Sequence, residues 1–531
     1  MPRLLSKSRL IDYRQCPKRL WLEIHRKDLR KVDPSAKLRM AAGNEVGELA
    51  RRLYDIQGNG VLLDAQRDGF QKVFSQSIEL LPKRRPLFEA GYAAEGLFAL
   101  VDLLLPEGDG STWRLVEVKS AAGVKDYHRD DLAIQVYVLE RSGVSLSGAS
   151  VACIDTAWTY PGGGDYSGLL KELDLLDEAR GRASEVHQWA RDAQVVAAQP
   201  GAPAIQMGKH CQAPFACPYE AHCKLSSASA DAVAAPVEWL PQVRATRLKA
   251  RLAESGVVSM EQVDDSLLND LQKRVKHASL TGEPWCNPTA ARAALQSVHL
   301  PLYMLDFEAV NPAIPRWPGT RPFQQIPFQY SLHVMNRDGT VDHHDFLDLS
   351  GADPRRALAE KLVRDIPASN DREAGGTVLA YNASFEGQVI AALAAEAPDL
   401  AAALQDIKSR LMDLLPVARD AWYHPAQQGS WSIKKVLPTL GNGSSSYAHL
   451  QDVADGQEAV EAYLRATTPG VDPAQVQHLR EALLRYCRQD TEAMVKLWEH
   501  LNRLAGTGGS GFEPEAADDG TSPHTLRGTP C

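Results

Sequence analysis

The chain has 531 residues, which is enough for two or three domains rather than one. It is 44% hydrophobic and 24% charged, as in an ordinary globular protein, and no apolar run reaches the roughly 18 residues of a membrane span. The net charge of −9 argues against a uniformly basic nucleic-acid binder. The N-terminus lacks the apolar core of a secretory signal, so we expect a cytoplasmic protein with reduced thiols and no membrane partner.

The N-terminal segment 1–40 has the opposite charge balance to the whole chain. It carries twelve Lys or Arg residues and four Asp or Glu residues, so its local charge is 12 − 4 = +8. A basic patch on an acidic protein can bind phosphate groups. The alternative is a solvated helix face with no ligand.

Farther along the chain, two apolar segments flank the glycine-rich turn "PEGDG" and predict a β-hairpin with strands over 97–105 and 113–120. Asp102 then lies near Glu117 and Lys119, which are two residues apart and project from the same face of a strand. Two carboxylates can hold Mg²⁺, which lowers the pKa of a bound water, and a lysine can orient that water. A surface ion pair on an amphipathic hairpin is the alternative.

The segment after the hairpin, "DDLAIQVYVLERSG", predicts a helix. Gln135 and Tyr137 lie on it, about one turn beyond the hairpin. Both side chains are candidate contacts to the backbone of a substrate. The alternative is that they pack inside the domain.

Three cysteines, Cys211, Cys217 and Cys223, stand six residues apart in "HCQAPFACPYEAHC". In a reducing compartment, clustered cysteines predict metal or cluster ligands rather than disulfides. Thiolates suit iron–sulfur clusters, which need four ligands. Zinc is the main alternative, and His210 and His222 could complete a mixed site, although the close Cys-x-x-Cys pairs typical of zinc sites are absent. Buried structural cysteines are the third interpretation.

This order of motifs resembles a RecB-type nuclease of the PD-(D/E)xK superfamily: Gly43 with a helix after it, then Asp102, then "EVK", then the helix with Gln and Tyr. It looks closest to the branch with an iron–sulfur cluster, which includes the CRISPR-associated adaptation exonuclease and the AddB helicase–nuclease subunit. The resemblance implies that Cys16, in "YRQCPKRLWL", joins the three late cysteines as the fourth ligand of a 4Fe-4S cluster. Gly47 stands where the family usually has a metal-binding histidine, and Glu45 or Glu48 is the alternative ligand.

Beyond residue 225 the composition changes twice. Residues 226–290 begin with the small, polar stretch "SSASADAVAAP" and continue with helical spacing, which predicts a linker and a helical connector. Strand and helix patterns alternate over 291–505. The Gly-, Pro- and acid-rich tail 506–531 is predicted to be disordered.

Four acids and a tyrosine in this second region form another candidate site. Asp306 and Glu308 in "YMLDFEAV" share one face of a predicted strand, Glu386 follows the next strand, and Tyr486 and Asp490 share one face of a helix. Converging acids repel one another unless cations lie among them, and two Mg²⁺ ions about 4 Å apart are the usual solution. The tyrosine would then position the attacking water. The alternatives are solvated acids on the strand, and a cap or a buried hydrogen bond for the pair on the helix.

In this order "LDFE", "YNASFE" and "YCRQD" resemble the three motifs of the DEDD exonucleases of the DnaQ-like, RNase H-like class. The resemblance adds Asp413, in "RLMDLLPVARD", as a further acid, and Glu386 stands where the family normally has Asp. The insertion "NPAIPRWPGTRPFQQIPFQY" is rich in arginine and aromatic residues. It predicts either a surface that stacks single-stranded bases or a packed cover.

Taken together, the resemblances imply an α/β protein: a PD-(D/E)xK restriction-endonuclease-like domain over 1–225, a connector over 226–290, and a DnaQ-type, RNase H-like domain over 291–505. They resemble a bacterial family in which two such domains are fused. We expect a Mg²⁺- or Mn²⁺-dependent nuclease with two sites and exonuclease character, acting on DNA that is single-stranded or has free ends. RNA is a second candidate substrate. A nucleic-acid-binding scaffold with one or both sites inactive is the alternative function.

Overall fold

The computed structural model describes residues 4–31, 34–108, 110–227, 234–243, 248, 252, 257–370, 375–441 and 452–506. The chain divides into two compact units, Met1–Ala230 with Asn311–Gln324, and Asp231–Val310 with Gln325–Cys531. The structure is mixed α/β with mixed sheets, which confirms the predicted α/β class. Within the described residues, no helix has the length and apolar character needed to cross a membrane.

The first unit is built on a seven-stranded mixed sheet with helices around it. Its strands are β1 (Leu5–Ser6), β2 (Val61–Leu62), β3 (Leu87–Ala94), β4 (Leu97–Pro106), β5 (Trp113–Lys119), β6 (Leu146–Ile154) and β7 (Leu170–Asp174). Its helices are α1 (Lys7–Gln15), α2 (Pro17–His25), α3 (Pro34–Tyr54), α4 (Ala65–Asp68), α5 (Phe70–Leu80), α6 (Asp126–Arg141), α7 (Leu176–Gly181), α8 (Ala183–Ala198) and α9 (Glu220–Ser227). The strand order is β2-β3-β4-β5-β6-β7, and β1 pairs in parallel with the start of β4.

β4 and β5 form the hairpin that the sequence predicts, with Leu103 opposite Val116. Alternate residues of β4 are buried from Leu97 to Leu103, and this period of two leaves Asp102 on the more accessible face. Helix α6 packs across β3, β4 and β6 and is buried along most of its length. The sheet and α6 therefore form the core against which the carboxylates of the hairpin are held.

The segment 311–324 packs in the first unit, although the sequence-based boundaries assign it to the second domain. Ala313 is buried in an apolar cluster with Val46 and Leu49 of α3. The Tyr166 hydroxyl donates a hydrogen bond of 3.0 Å to the backbone carbonyl of Pro315. Sequence proximity to the "LDFE" motif therefore does not predict where this insertion packs, because its apolar side chains find their partners on α3.

The second unit contains a five-stranded sheet of order β11-β10-β9-β12-β13 and the two-stranded sheet β14-β8. Its strands are β8 (Trp285–Cys286), β9 (Leu302–Val310), β10 (Ile326–Met335), β11 (Val341–Leu347), β12 (Thr377–Ala380), β13 (Leu411–Asp413) and β14 (Trp422–Tyr423). The described helices are α10 (Asp270–Thr281), α11 (Pro288–Gln296), α12 (Arg355–Asp365), α13 (Ser384–Glu396), α14 (Ala401–Ser409), α15 (Leu414–Ala421), α16 (Ile433–Val436), α17 (Gly456–Ala466) and α18 (Pro473–Gly506). Strand β9 lies at the centre, antiparallel to β10 and parallel to β12.

Both faces of β9 are covered, but by different helices. Leu305 and its neighbours on one face pack with apolar residues of α12, α13 and α14. Leu302 and Met304 on the other face pack with Met494 and Trp498 of α18. Because side chains alternate along a strand, the second face is also the one that carries Asp306 and Glu308.

The predicted connector belongs to the second unit. Met260, Val275 and Ala278 pack in one apolar cluster with Tyr423 and Leu497. Most of the predicted linker 226–236 and nearly all of the predicted tail 506–531 lie outside the described residues.

Candidate functional site

Three acids of the second unit converge, as the sequence predicts. Asp306 and Glu308 lie on β9 and Asp490 lies on α18, and one carboxylate oxygen from each lies within 4.8 Å of the other two. These are the oxygen ligands that divalent cations such as Mg²⁺ and Mn²⁺ prefer. The cluster could therefore hold a divalent metal ion.

The packing of α18 against β9 explains why these acids meet. Every second residue of the strand faces every fourth residue of the helix. The rows stay in register because two strand residues rise about 6.6 Å and four helix residues rise about 6.0 Å. The strand row runs Leu302, Met304, Asp306, Glu308, and the helix row runs Trp498, Met494, Asp490, Tyr486. Both rows change from apolar to polar at the same level, so the polar ends form the site.

Mutual repulsion and burial dominate the electrostatics of this cluster. Burial, and then the carboxylate of Asp490, raise the pKa of Asp306 well above its usual value. The same two causes raise the pKa of Glu308 to about 8. Near neutral pH the cluster therefore retains protons that solvated acids would lose. A bound divalent cation favours the charged carboxylates, which fits this donor set.

Glu386, which stands where the DEDD exonucleases that the motifs resemble have Asp, lies beside this group but outside it. Its side chain is 3% exposed, and its Oε2 atom has no hydrogen-bond partner among the described residues. Burial raises its pKa to about 7. The Glu386 carboxylate acts electrostatically on Asp306 and Glu308, but the group of oxygens within 4.8 Å does not include it. A buried oxygen without a partner is suited to accept a ligand.

The other two residues predicted for this site have different roles. Tyr486 is 4% exposed, and burial followed by the charge of Asp490 raises the pKa of its hydroxyl far above the usual range. The Nζ atom of Lys434 lies 5.0 Å from the centre of its ring. Asp413 uses its Oδ1 atom to accept hydrogen bonds of 2.9 Å from the backbone N–H groups of Asn382 and Leu415. Asp413 therefore holds local backbone, including the start of α15.

Two residues that the sequence reasoning did not select act on the acid cluster, Cys487 by contact and Lys434 by its charge. The Sγ atom of Cys487 lies 3.5 Å from Oδ2 of Asp306. The charge of Lys434 lowers the pKa of Glu308, against the larger effect of burial. Cys487 is inside the "YCRQD" motif, so the motif could have pointed to it. Nothing in the sequence pattern indicates Lys434.

In the first unit the hairpin brings together Asp102, Glu117 and Lys119. The backbone N–H of Val118 donates a 2.8 Å hydrogen bond to Oδ2 of Asp102, and the Lys119 ammonium lies 2.6 Å from Oε1 of Glu117. Glu117 is 2% exposed. Among the described residues, no three acids of this unit have oxygens mutually within 4.8 Å, so this site differs from the cluster of the second unit.

Lys7 and Asp131 also belong to this site, although the sequence reasoning did not select them. The Nζ atom of Lys7 lies 3.0 and 3.2 Å from the two carboxylate oxygens of Glu117. Asp131 lies 2.6 Å from the ammonium of Lys119 and 3.5 Å from that of Lys7. Asp131 precedes Gln135 by one helical turn, which is a usable sequence signal. Lys7 was only one of twelve basic residues near the N-terminus.

The structure separates the two residues predicted to bind substrate. Gln135 is fully buried, and its side-chain amide donates a 2.8 Å hydrogen bond to Oε2 of Glu117. The Tyr137 hydroxyl instead donates to Glu95 and lies 2.9 Å from Nδ1 of His187. Residues two apart on a helix point about 200° apart, so one helix cannot direct both side chains into the same cleft. Gln135 contacts the carboxylate site and Tyr137 does not.

Burial also controls the charges of the first site. Burial, and then the nearby charge of Asp102, raise the pKa of Glu117 to about 7. Burial lowers the pKa of Lys119, but Asp131 and Glu117 outweigh it and raise that pKa well above the usual value. Burial tends to raise the pKa of Asp131, but Lys119 and Lys7 outweigh it and lower that pKa. Ammonium groups therefore compensate the carboxylates of this site.

A cleft of about 310 Å³ opens beside these residues and is bounded by α3 on one side. Gly47 and Glu48 line it, whereas the nearest charged partner of Glu45 is Arg316, at 3.9 Å. A Cβ atom added at Gly47 would meet only the guanidinium of Arg51, at 3.9 Å. The cleft therefore leaves space beside position 47, and of the two glutamates Glu45 and Glu48 it is Glu48 that lines it.

Cys16, Cys211, Cys217 and Cys223 lie close together. Burial is the main cause that raises the pKa of the Cys16 thiol, and the charges of Cys211 and Cys223 raise it further. Burial likewise raises the pKa of Cys217, with contributions from Cys16 and Cys211. The backbone N–H of Cys217 donates a 2.8 Å hydrogen bond to the carbonyl of Cys211. The fold thus brings the N-terminal cysteine to the three late ones, and Cys16, Cys211 and Cys217 are free thiols.

A family model described as a domain of unknown function, DUF2779, matches residues 303–432. This region contains Asp306, Glu308 and Glu386 and ends before Tyr486 and Asp490. A comparison with curated proteins finds no match.

Proposed function

We propose that this protein is a metal-dependent nuclease that hydrolyses phosphodiester bonds in DNA and has one active site in each unit. The observation that carries the proposal is the convergence of Asp306, Glu308 and Asp490 from two distant parts of the chain. Half-buried acids that repel one another cost stability, so their joint placement favours a functional reason. The order of the three motifs around them is that of a DnaQ-like DEDD exonuclease.

In the second unit, Asp306, Glu308 and Asp490 would hold Mg²⁺ or Mn²⁺, with Glu386 as the further carboxylate. When bound, these ions stabilise the negative charge that develops on the scissile phosphate. Tyr486 keeps its hydroxyl proton, because its pKa is raised, and it orients the attacking water by a hydrogen bond. The exonuclease character follows from the resemblance of the motifs.

In the first unit, Asp102 and Glu117 would hold the metal ion, and Lys119 is the lysine of the PD-(D/E)xK motif. The Gln135 amide fixes the Glu117 carboxylate by donating a 2.8 Å hydrogen bond to its Oε2 atom. The other oxygen, Oε1, contacts the ammonium of Lys119. Gln135 is therefore a positioning residue of this site rather than a contact to substrate. Arg51 lies in the same cleft and is a candidate partner for a DNA phosphate.

The four thiols support the proposal of a 4Fe-4S cluster held by Cys16, Cys211, Cys217 and Cys223. A tetrahedral zinc ion with bonds of about 2.3 Å would draw its sulfur ligands to within about 3.8 Å of one another. Among the described residues, no three of these sulfurs lie mutually within 4.8 Å. This wider spacing favours a cluster of several iron atoms over a single zinc ion.

The decisive experiment is digestion of end-labelled single-stranded DNA, double-stranded DNA and RNA with Mg²⁺ or Mn²⁺. The purified protein is compared with Asp306→Asn, with Glu117→Gln, and with the variant that carries both changes. We expect cleavage by the parent protein, partial loss in each single variant and none in the double variant. The double variant controls for contaminating nucleases.

A nucleic-acid-binding scaffold is the second candidate function. The absence of Glu386 from the oxygen group and the glycine at position 47 favour it, because both depart from the families that the motifs resemble. Tight binding of labelled DNA without cleavage, under any of the metal conditions above, would support the scaffold and contradict the nuclease.

A further inference from the structure

Lys7 occupies a position in the first site that the PD-(D/E)xK motif does not supply. It is the first residue of α1, and its ammonium contacts both oxygens of the Glu117 carboxylate. The Lys7 side chain is only 18% exposed, so this contact is shielded from water. A shielded contact between opposite charges holds a carboxylate more firmly than a surface ion pair does.

The other end of the same helix holds the loop that carries the late cysteines. Gln15 is the last residue of α1, and its side-chain amide donates hydrogen bonds of 2.7 Å to the backbone carbonyls of His210 and Phe215. Cys16 follows directly. Nine helical residues span about 13 Å, so one short helix connects the cysteine loop to Glu117.

Buried ion pairs make α1 and α2 a stiff pair. Arg9 lies 2.9 Å from Asp12 and 2.7 Å from Glu23, and Arg19 lies 2.8 Å from Asp12. Asp12 and Glu23 are 7% and 6% exposed. If the cysteine loop is displaced, α1 therefore moves as a rigid unit instead of deforming.

We infer that Lys7 is a positioning residue for Glu117, and that α1 makes its contact with Glu117 depend on an intact cysteine loop. The inference rests on the proposed function of the first site. When the loop is held, Lys7 stays against Glu117 and keeps the carboxylate in one orientation. When the loop is released, α1 shifts and this contact is lost. The cysteine site thereby acts on the carboxylate site through one side chain.

The test is a double-mutant cycle of Lys7→Met and Gln15→Ala in the full chain, with Asp306→Asn and Asp490→Asn present to silence the second site. For each protein, kcat and KM for DNA cleavage, the Kd for Mn²⁺ and the iron content are measured. Lys72→Met is the matched control, because Lys72 is an exposed lysine of the same unit whose ion-pair partner is Asp68. Lys7→Arg retains the charge.

We expect Lys7→Met to lower kcat at least tenfold with little change in KM, and to leave Mn²⁺ binding equal or tighter, because a competing cation has been removed. Lys7→Arg should recover part of kcat. Gln15→Ala should lower kcat by a smaller factor, and the double variant should match Lys7→Met alone, because both changes act on one contact.

Three outcomes would overturn the inference. If the double variant loses kcat by the product of the two single-variant factors, the loop does not act through Lys7. Weaker Mn²⁺ binding with a lower Tm in Lys7→Met would show a structural role only. A Lys7→Met protein equal to the parent would remove the positioning role while leaving the proposed function intact. If the parent binds Mn²⁺ without cleaving DNA, the proposed function falls; tighter Mn²⁺ binding in Lys7→Met than in Lys72→Met would then support the contact with Glu117, and an equal Kd would overturn it. A parent that neither cleaves nor binds Mn²⁺ overturns both proposals.

Discussion

Asp306 and Asp490 place carboxylate oxygens within 4.8 Å of each other, although one lies on β9 and the other on α18, about 180 residues farther along the chain. Each charge raises the pKa of the acids around it, so the cluster is costly to the protein without a cation. The apolar contacts of Met304 with Met494 and Trp498, just beyond the acids, hold strand and helix together despite this repulsion.

The first prediction concerns stability against pH in the absence of metal. Burial and Asp490 raise the pKa of Glu308 from 4.5 to about 8, so the folded protein holds this proton more tightly than the unfolded chain does. The stability that this tighter proton binding at Glu308 gives to the folded protein is complete below pH 4.5 and is lost as the pH rises through about 8. In EDTA, the free energy of unfolding should therefore fall with rising pH over this range.

Urea denaturation of the parent protein and of Glu308→Gln at several pH values measures this slope. Glu308→Gln should flatten it, since the amide does not titrate. Glu360→Gln is the control, because Glu360 is a partly exposed acid of the same unit that pairs with Arg356. Equal slopes in all three proteins would show that Glu308 titrates normally.

The second prediction separates metal ligands from the tyrosine. In protein whose first site is silenced by Glu117→Gln, Asp306→Asn should lower kcat by about a thousandfold or more, because charge stabilisation by a bound metal contributes several kcal/mol. Tyr486→Phe removes one positioning hydrogen bond of about 1–3 kcal/mol and should cost about ten- to hundredfold. Single-turnover cleavage of one labelled substrate compares the two. A larger loss in Tyr486→Phe than in Asp306→Asn would reverse the assigned roles.

The third prediction is that the two sites act independently. Glu117→Gln should abolish one set of cleavage products and leave those that depend on Asp306, and Asp306→Asn should do the reverse. Glu117 is buried against two ammonium groups, so the neutral amide keeps its shape while removing the charge. Gel analysis of products from one substrate checks this. An identical product pattern in Glu117→Gln and the parent protein would place all cleavage in the second unit.

The fourth prediction concerns the thiols. Protein purified without oxygen should be brown, with absorption at about 400 nm from iron–sulfur charge transfer. Cys223→Ala should lose the iron and lower the Tm of the first unit, because binding energy of a cluster is partly folding energy. Cys153→Ala is the control, since Cys153 is a free, buried thiol of the same unit outside the group of four. Stoichiometric zinc without iron would contradict the cluster.

The fifth prediction is a gain of metal affinity. Gly47→His should tighten Mn²⁺ binding at the first site about tenfold, because the cleft has room at this position and the ring adds a nitrogen ligand. Gly47→Ala is the matched control. It should stabilise α3 by up to about 1 kcal/mol through helix propensity and leave the affinity unchanged. Calorimetric titration with Mn²⁺ measures the affinity of Gly47→His and of Gly47→Ala, each in the Asp306→Asn background. Equal affinities would show that position 47 does not face the metal.

The sequence alone determined the local geometry of these sites. A period of two places Asp306 with Glu308 on one face of β9, and a spacing of four places Tyr486 with Asp490 on one face of α18. The same reasoning predicted the hairpin that carries Asp102 and Glu117. These relationships depend on backbone geometry within one element, which a sequence pattern reports directly.

Tertiary structure alone decided which faces meet. Nothing in the pattern brings Lys7 to Glu117, Cys487 to Asp306, or the segment 311–324 to α3. The helix with Gln135 and Tyr137 was predicted, but only the packed structure shows which of the two side chains turns toward the carboxylates. The physical reason is that periodicity specifies the direction of a side chain relative to its own element, whereas a contact between distant elements depends on how the apolar faces of the whole unit pack.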